Sequence, residues 1–193
     1  LFEDTVEKDI GYGPKNMGLS EDEIKKRVRE SLSFVGLSEK YLEKSPFDLS
    51  GGEKRRVAIA GVMAMKPEVL VLDEPCAGLD PIGRNMVLDL IVKYREKTGS
   101  TVIVVSHSME DISKIATKIL VMNESRLAYY DTVSNVFSHA GELFSMGLDV
   151  PQITQLFLKL KDAGYDVRTD IYTFEEAEKE LLKLLKRRGN NAQ

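Results

Sequence analysis

The sequence predicts an α/β fold: a parallel sheet with a helical subdomain ahead of it and a small helical extension behind it. Three observations carry that expectation. The runs "VLVL" (69–72), "VIVV" (102–105) and "ILVM" (119–122) are short, continuous and apolar, the texture of strands buried on both faces. Helical patterns separate the first run from the second and the second from the third, and this alternation argues a parallel sheet. Before Pro67 and after Pro151 the periodicity is helical. The expected divisions are 1–67, 68–137 and 138–193.

Each element has its own signal. Residues 1–19 read as turn-rich, punctuated by Gly11, Gly13, Pro14, Asn16 and Gly18. Ser20 with Glu23 makes a capping box ahead of Ile24, Val28, Leu32 and Val35, and Gly36 ends that helix. A short helix is expected over Glu39–Lys44, stopped by Pro46. In "LSGGEKRRVAIAG" (49–61), Ser50 and Glu53 box the start of a helix with Val57, Ala60 and Ala64 on one face. Lys54, Arg55 and Arg56 fall in its first turns, where the macrodipole disfavours positive charge, so this helix end suggests a nearby anion. Pro81 opens a helix through Met86, Leu90 and Tyr94 to Gly99, and Ser108 precedes another with Met109, Ile112, Ile115 and Ala116. "RLAYYD" (126–131) suggests a further strand. In the tail, Pro151 opens a helix bearing Ile153, Leu156, Phe157 and Leu160, with Gly164 beyond its end. Thr173 and Glu176 box a last helix bearing Phe174, Ala177, Leu181 and Leu185, and the terminal "GNNAQ" reads as disordered.

The bulk properties exclude several classes. The chain of 193 residues is 42% hydrophobic and 30% charged, a globular balance for one domain with a small appendage. A net charge of −4 supplies no global basic field for nucleic acid. The one cysteine, Cys76, excludes an internal disulfide and suits a reducing compartment. No apolar run approaches a membrane span and no signal peptide is expected, so a membrane role would come through a partner. The chain opens at Leu1, mid-pattern, and reads as a segment of a longer one.

The polar residues gather at predicted strand ends. "VLVLDEP" sets Asp73 and Glu74 at the carboxyl end of a buried strand, the edge where open parallel sheets bind ligands. Adjacent carboxylates there can divide labour, one holding Mg²⁺, directly or through water, and the other polarising an attacking water; an acidic loop start is the alternative. "VIVVSHS" brings His107 to the same edge, to hydrogen-bond a phosphate oxygen or fix that water. Backbone N–H groups at Gly51 and Gly52, uncluttered by side chains, form a phosphate site at a helix start. A glycine-rich entrance to an ordinary capped helix is the alternative for that stretch.

Taken in order, these motifs resemble those of the ATP-binding-cassette ATPases. "LSGGEKRRVAIA" is similar to their signature motif, "VLVLDEP" followed by "AGLD" to their Walker B strand and D-loop, and His107 to their switch histidine. The resemblance implies a P-loop NTPase-like fold, ATP and Mg²⁺ as cofactors, Glu74 as general base and Asp73 as the Mg²⁺ carboxylate. It implies further that Ser50, Gly51, Gly52 and Glu53 meet the nucleotide of a second subunit, and that Asp80 communicates across that dimer. A narrower resemblance, carried by "SPFDLSGGEKRRVAIAG", "VSHSMEDI" and the tail from Val150, is to the ATPases of energy-coupling-factor transporters, importers of vitamins and transition-metal ions. It implies a peripheral protein on the cytoplasmic face of the membrane, paired with a second ATPase subunit, a transmembrane coupling subunit and a substrate-binding membrane subunit. The tail is then a dimerisation element. Three departures stand out: Cys76 follows "DEP" where Thr or Ser is usual, "NESRL" lacks a turn glycine, and no G-x-x-x-x-G-K-[ST] phosphate loop occurs in these residues. Also missing are the aromatic that stacks on adenine and the glutamine of the Q-loop, which the resemblance places just before Leu1. A soluble cassette ATPase of DNA repair or translation, or a partner that hydrolyses nothing itself, are the competing readings.

Overall fold

The computed structural model of the chain describes residues 3–190. They form two compact units, the first ending at Val105 and the second beginning at Ser106.

In the first unit, α1 (Val6–Asn16), α2 (Glu21–Phe34) and α3 (Gly51–Ala64) pack pairwise on one another. α1 corrects the turn-rich reading of residues 1–19. Thr5 Oγ1 accepts the Lys8 N–H, and Val6 and Ile10 are fully buried. The Val6 and Glu7 N–H groups, which a helix start leaves without intrahelical acceptors, donate to the carbonyls of Lys44 and Leu42. The glycines permit close approach and do not turn the chain. A Cβ on Gly11 would lie 3.2 Å from Ile24 Cγ2, and one on Gly13 would lie 2.6 Å from Met65 Sδ.

α2 begins as predicted, with Ser20 Oγ accepting the Glu23 N–H. The Glu23 carboxylate, however, pairs with Arg27 Nε at 2.8 Å, so only half of that capping box forms. The helix ends in a Schellman motif: Gly36 is left-handed, and the Leu37 and Gly36 N–H groups donate to Leu32 and Ser33 carbonyls. The expected helix over 39–44 is instead a single 3₁₀ turn, Glu39–Tyr41, and a second 3₁₀ turn, Pro46–Asp48, follows it.

β1 (Val69–Asp73) and β2 (Thr101–Val105) pair in parallel, from Val69 opposite Thr101 to Asp73 opposite Val105. α4 (Pro81–Thr98) connects them, capped by Asp80 and ended by left-handed Gly99. It buries Val87, Leu88, Leu90, Ile91 and Tyr94, whereas Met86, expected on that stripe, is 43% exposed. The prediction of strands buried on both faces holds for one face. Leu70 is buried, while Val69, Val71, Ile103 and Val105 on the other face are exposed.

In the second unit, β3 (Lys118–Asn123) departs from the predicted parallel sheet and pairs antiparallel with β4 (Arg126–Thr132). Only Glu124 and Ser125 separate Asn123 from Arg126, and a two-residue connection permits no parallel crossover. α5 (Met109–Ile115) forms as expected behind Ser108, whose Oγ accepts the Asp111 N–H. Two helices that the sequence did not announce, α6 (Val133–Ser138) and α7 (Ala140–Ser145), complete the core. Val136, Phe137 and Leu143 pack with Ile119, Val121 and Val150.

α8 (Gln152–Asp162) and α9 (Phe174–Asn190) close on a second, smaller cluster of Phe157, Val167, Ile171 and Ala177. The buried Thr154 hydroxyl donates to the Ile171 carbonyl at 2.7 Å. α9 continues through the first two residues of "GNNAQ", and the last three lie outside the described residues.

Candidate functional site

The start of α3 is held from within. Ser50 Oγ accepts the Glu53 N–H, and Glu53 Oε2 accepts both the Ser50 N–H, at 2.8 Å, and the Ser50 hydroxyl, at 2.7 Å. The other Glu53 oxygen accepts the Tyr41 hydroxyl at 2.7 Å. These bonds hold the Glu53 carboxyl down to about 2, with Tyr41 the largest cause and Ser50 the next. The Lys54 N–H donates to the Ser50 carbonyl and closes the first helical turn. The Gly51 and Gly52 N–H groups therefore head the helix, and a Cβ on either glycine would meet nothing within 4 Å. Backbone N–H groups at a helix start are the donors that suit an anion.

Two of the three cations in these turns, Arg55 and Arg56, donate to carbonyls elsewhere in the unit. Arg55 Nη2 donates to the Ala77 carbonyl at 3.3 Å, and Arg56 Nη1 donates to the Val35 carbonyl at the end of α2 at 3.4 Å. The Arg56 guanidinium is thus set at the carboxyl end of α2, the polarity a macrodipole favours there. The Arg55 contact also joins α3 to the loop that follows β1. No sequence signal marked Arg55 for that loop or Tyr41 for Glu53, because each contact crosses between elements.

Asp73 ends β1 and is exposed, and Glu74 follows it half-buried. Glu74 has φ +44°, a left-handed conformation that is uncommon outside glycine. Its N–H donates to the Val105 carbonyl at the end of β2 at 2.9 Å, and its carbonyl accepts the Ala77 N–H at 3.1 Å. The neighbouring strand and the following turn together fix this strained residue, which is the way strain persists at functional positions. Asp80, in the same loop, caps α4 with Oδ1 accepting the Gly83 N–H at 3.0 Å. A Cβ on Gly83 would lie 2.7 Å from that oxygen, so the glycine admits the cap.

His107 belongs to the second unit, where it is exposed. It lines a cavity of about 530 Å³ with Glu110, Asp149, Gln152, Gln155 and Lys159. A cavity of about 540 Å³ in the first unit lies between residues such as Pro67, Tyr94 and Ser100, at the amino-terminal end of the strands, away from Asp73.

Comparison with known proteins agrees with these features. A family model described as ABC transporter matches residues 3–77. The chain is 52% identical over 192 residues to the energy-coupling factor transporter ATP-binding protein EcfA2 of Clostridium tetani, covering 99% of this chain and 67% of that protein. It is 47% identical over 189 residues to EcfA2 of Halalkalibacterium halodurans, covering 97% and 67% respectively. Among solved structures, cbiO1 of Clostridium perfringens, part of the ABC transporter complex cbiONQ, aligns with a TM-score of 0.66 and 37% identity over 85% of this chain and 61% of that one. The ATP-binding cassette MJ0796, solved as a dimer in a post-hydrolysis state with ADP and Pi, aligns at TM-score 0.58 and 27% identity over 67% of this chain and 56% of that one. The chain spans about two thirds of the length of the curated relatives it matches. The carboxylates after β1, the glycine-led start of α3 and this likeness together place the chain in the family of energy-coupling factor transporter ATP-binding proteins, within the ABC ATPases.

Proposed function

We propose that the complete protein hydrolyses ATP to energise an importer of the energy-coupling factor type, whose cargo is a vitamin or a transition-metal ion. The observation that carries this reading is Glu74, a carboxylate held at φ +44° by the Val105 carbonyl beside Asp73. Glu74 acts as the general base that takes the proton of the attacking water. Asp73 would hold Mg²⁺. A single exposed carboxylate suits that ion, which is bound through one or two carboxylates together with substrate phosphates. Bound Mg²⁺ supplies neutralisation of phosphate charge.

In this reading the open N–H groups of Gly51 and Gly52 meet the γ-phosphate of ATP held by a second ATPase subunit. Ser50 and Glu53 act behind them by fixing the turn. Asp80 sets the loop that faces that subunit, and His107 bonds a phosphate oxygen. Residues 1–67 supply the signature face, 68–137 the catalytic core and 138–193 the pairing surface. The dimer of MJ0796 and the membership of cbiO1 in a transporter complex support carrying a second ATPase subunit and membrane subunits over to this chain. No helix among the described residues is long and apolar enough to cross a membrane. In this reading the protein sits at the cytoplasmic face, held by those subunits.

The test is Glu74→Gln in the complete protein. Single-turnover ATP hydrolysis should fall by about 10²- to 10⁴-fold while nucleotide affinity stays, the signature of a lost general base. Hydrolysis near the wild-type rate would overturn the assignment.

A further inference from the structure

The second unit ties the segment that carries His107 to the tail through an apolar cluster shared by Met109, Ile112, Val150 and Leu158, and through one polar contact made by Glu110. Glu110 lies three positions beyond His107, in the first turn of α5. Its Oε1 accepts the N–H of Gln152 at 3.2 Å, a contact across 42 residues. Gln152 is the first residue of α8, and Pro151, which precedes it, supplies no side-chain cap. Glu110 therefore does for α8 what a capping side chain would otherwise do, with a charge that the helix start favours. Asp149 fixes the approach to α8: its Oδ1 accepts the Val150 N–H and the Gln155 amide, each at 2.8 Å. His107, Met109 and Glu110 then form one wall of the cavity of about 530 Å³, and Asp149 and residues of α8 form the other.

We infer that Glu110 is a positioning residue: it lets α8 set the position of His107, and so makes the hydrolytic rate depend on the state of the tail. The inference rests on the proposed role of His107. A displacement of α8 is transmitted to the His107 segment through the Glu110 bond, whose two partners both lie in the second unit.

Two variants break the bond from opposite sides in the complete ATPase. Glu110→Ala removes the acceptor. Gln152→Pro removes the donor at the first helical position, where proline is favoured, and Pro151 already has the extended backbone that a residue before proline requires. Both should lower kcat by about tenfold with KM for ATP within about twofold, since misplacing a group that acts in the transition state costs rate rather than binding. Both should move the His107 ring resonance, assigned from the His107→Ala spectrum, and leave that of His139 in place. Glu110→Gln keeps a carbonyl acceptor and should restore most of kcat. Unchanged kcat in a folded Gln152→Pro protein, or a Glu110→Gln variant as slow as Glu110→Ala, would overturn the inference. Wild-type hydrolysis by His107→Ala would instead remove the reading on which it rests.

Discussion

Glu53 commits both carboxylate oxygens to its own chain, to Tyr41 on one side and to Ser50 on the other. These bonds shape the turn that starts α3, at whose head lie Gly51 and Gly52. The same bonds make Glu53 a pH-sensitive element of stability. Its carboxyl titrates near 2 in the folded chain, against 4.5 ordinarily, so between those values the unfolded chain binds more protons. The stability it contributes is complete above about pH 4.5 and is lost as pH falls towards about 2. Urea unfolding midpoints of wild type and Glu53→Gln across that range should converge as the pH drops. A constant gap between the two would show that the carboxylate form adds nothing.

At the scale of elements, the turn between β3 and β4 has a testable flaw. Glu124 and Ser125 both adopt positive φ, +47° and +62°, as a type I′ turn demands, yet neither is Asn, Asp or Gly. Such a conformation costs a non-glycine residue roughly 1 kcal/mol or more. Glu124→Asn with Ser125→Gly should therefore raise stability by about 1 kcal/mol, visible as a higher midpoint in thermal unfolding. No gain would mean that the present residues are not strained there. The missing glycine in "NESRL" was legible in the sequence, and it leaves two non-glycine residues at positive φ. Signals local to one element were legible in the same way: the Ser50–Glu53 box, the Asp73–Glu74 pair after a strand, and Gly99 after α4. What was not legible depends on partners. Gly11 and Gly13 read as turn residues because a glycine kept for helix contact has the same local appearance as one kept for bending. The direction of β3 was invisible because a continuous apolar run does not encode which strand lies beside it. α6 and α7 are six residues each, too short to display a helical period. The left-handed Glu74 could not be foreseen, since the Val105 carbonyl that holds it lies on another strand.

At the scale of the whole molecule, the tail carries two apolar surfaces with different fates. One is closed within the chain: Phe157, Val167, Ile171 and Ala177 form a small core against which Leu181 and Leu184 pack. The other stays open, with Leu156 of α8 45% exposed and Leu182 and Leu185 of α9 50% and 65% exposed. Leu181, which the sequence pattern put on the same stripe as Leu185, therefore belongs to the inner surface. A twofold axis beside α9 would place the open leucines of two copies, or of two related subunits, against each other. Each half-exposed leucine so covered would add about 1 kcal/mol. Leu182→Asp with Leu185→Asp in the complete protein should then leave the thermal midpoint in place and yield nucleotide-free monomers in sedimentation, with ATP restoring association through the signature face. Phe157→Asp, by contrast, should lower the thermal midpoint, because it puts an unpaired carboxylate into the inner core. If the double variant sediments as the wild-type dimer without nucleotide, the tail does not pair the subunits. Its exposed leucines would then be a surface for the membrane subunits or for solvent alone.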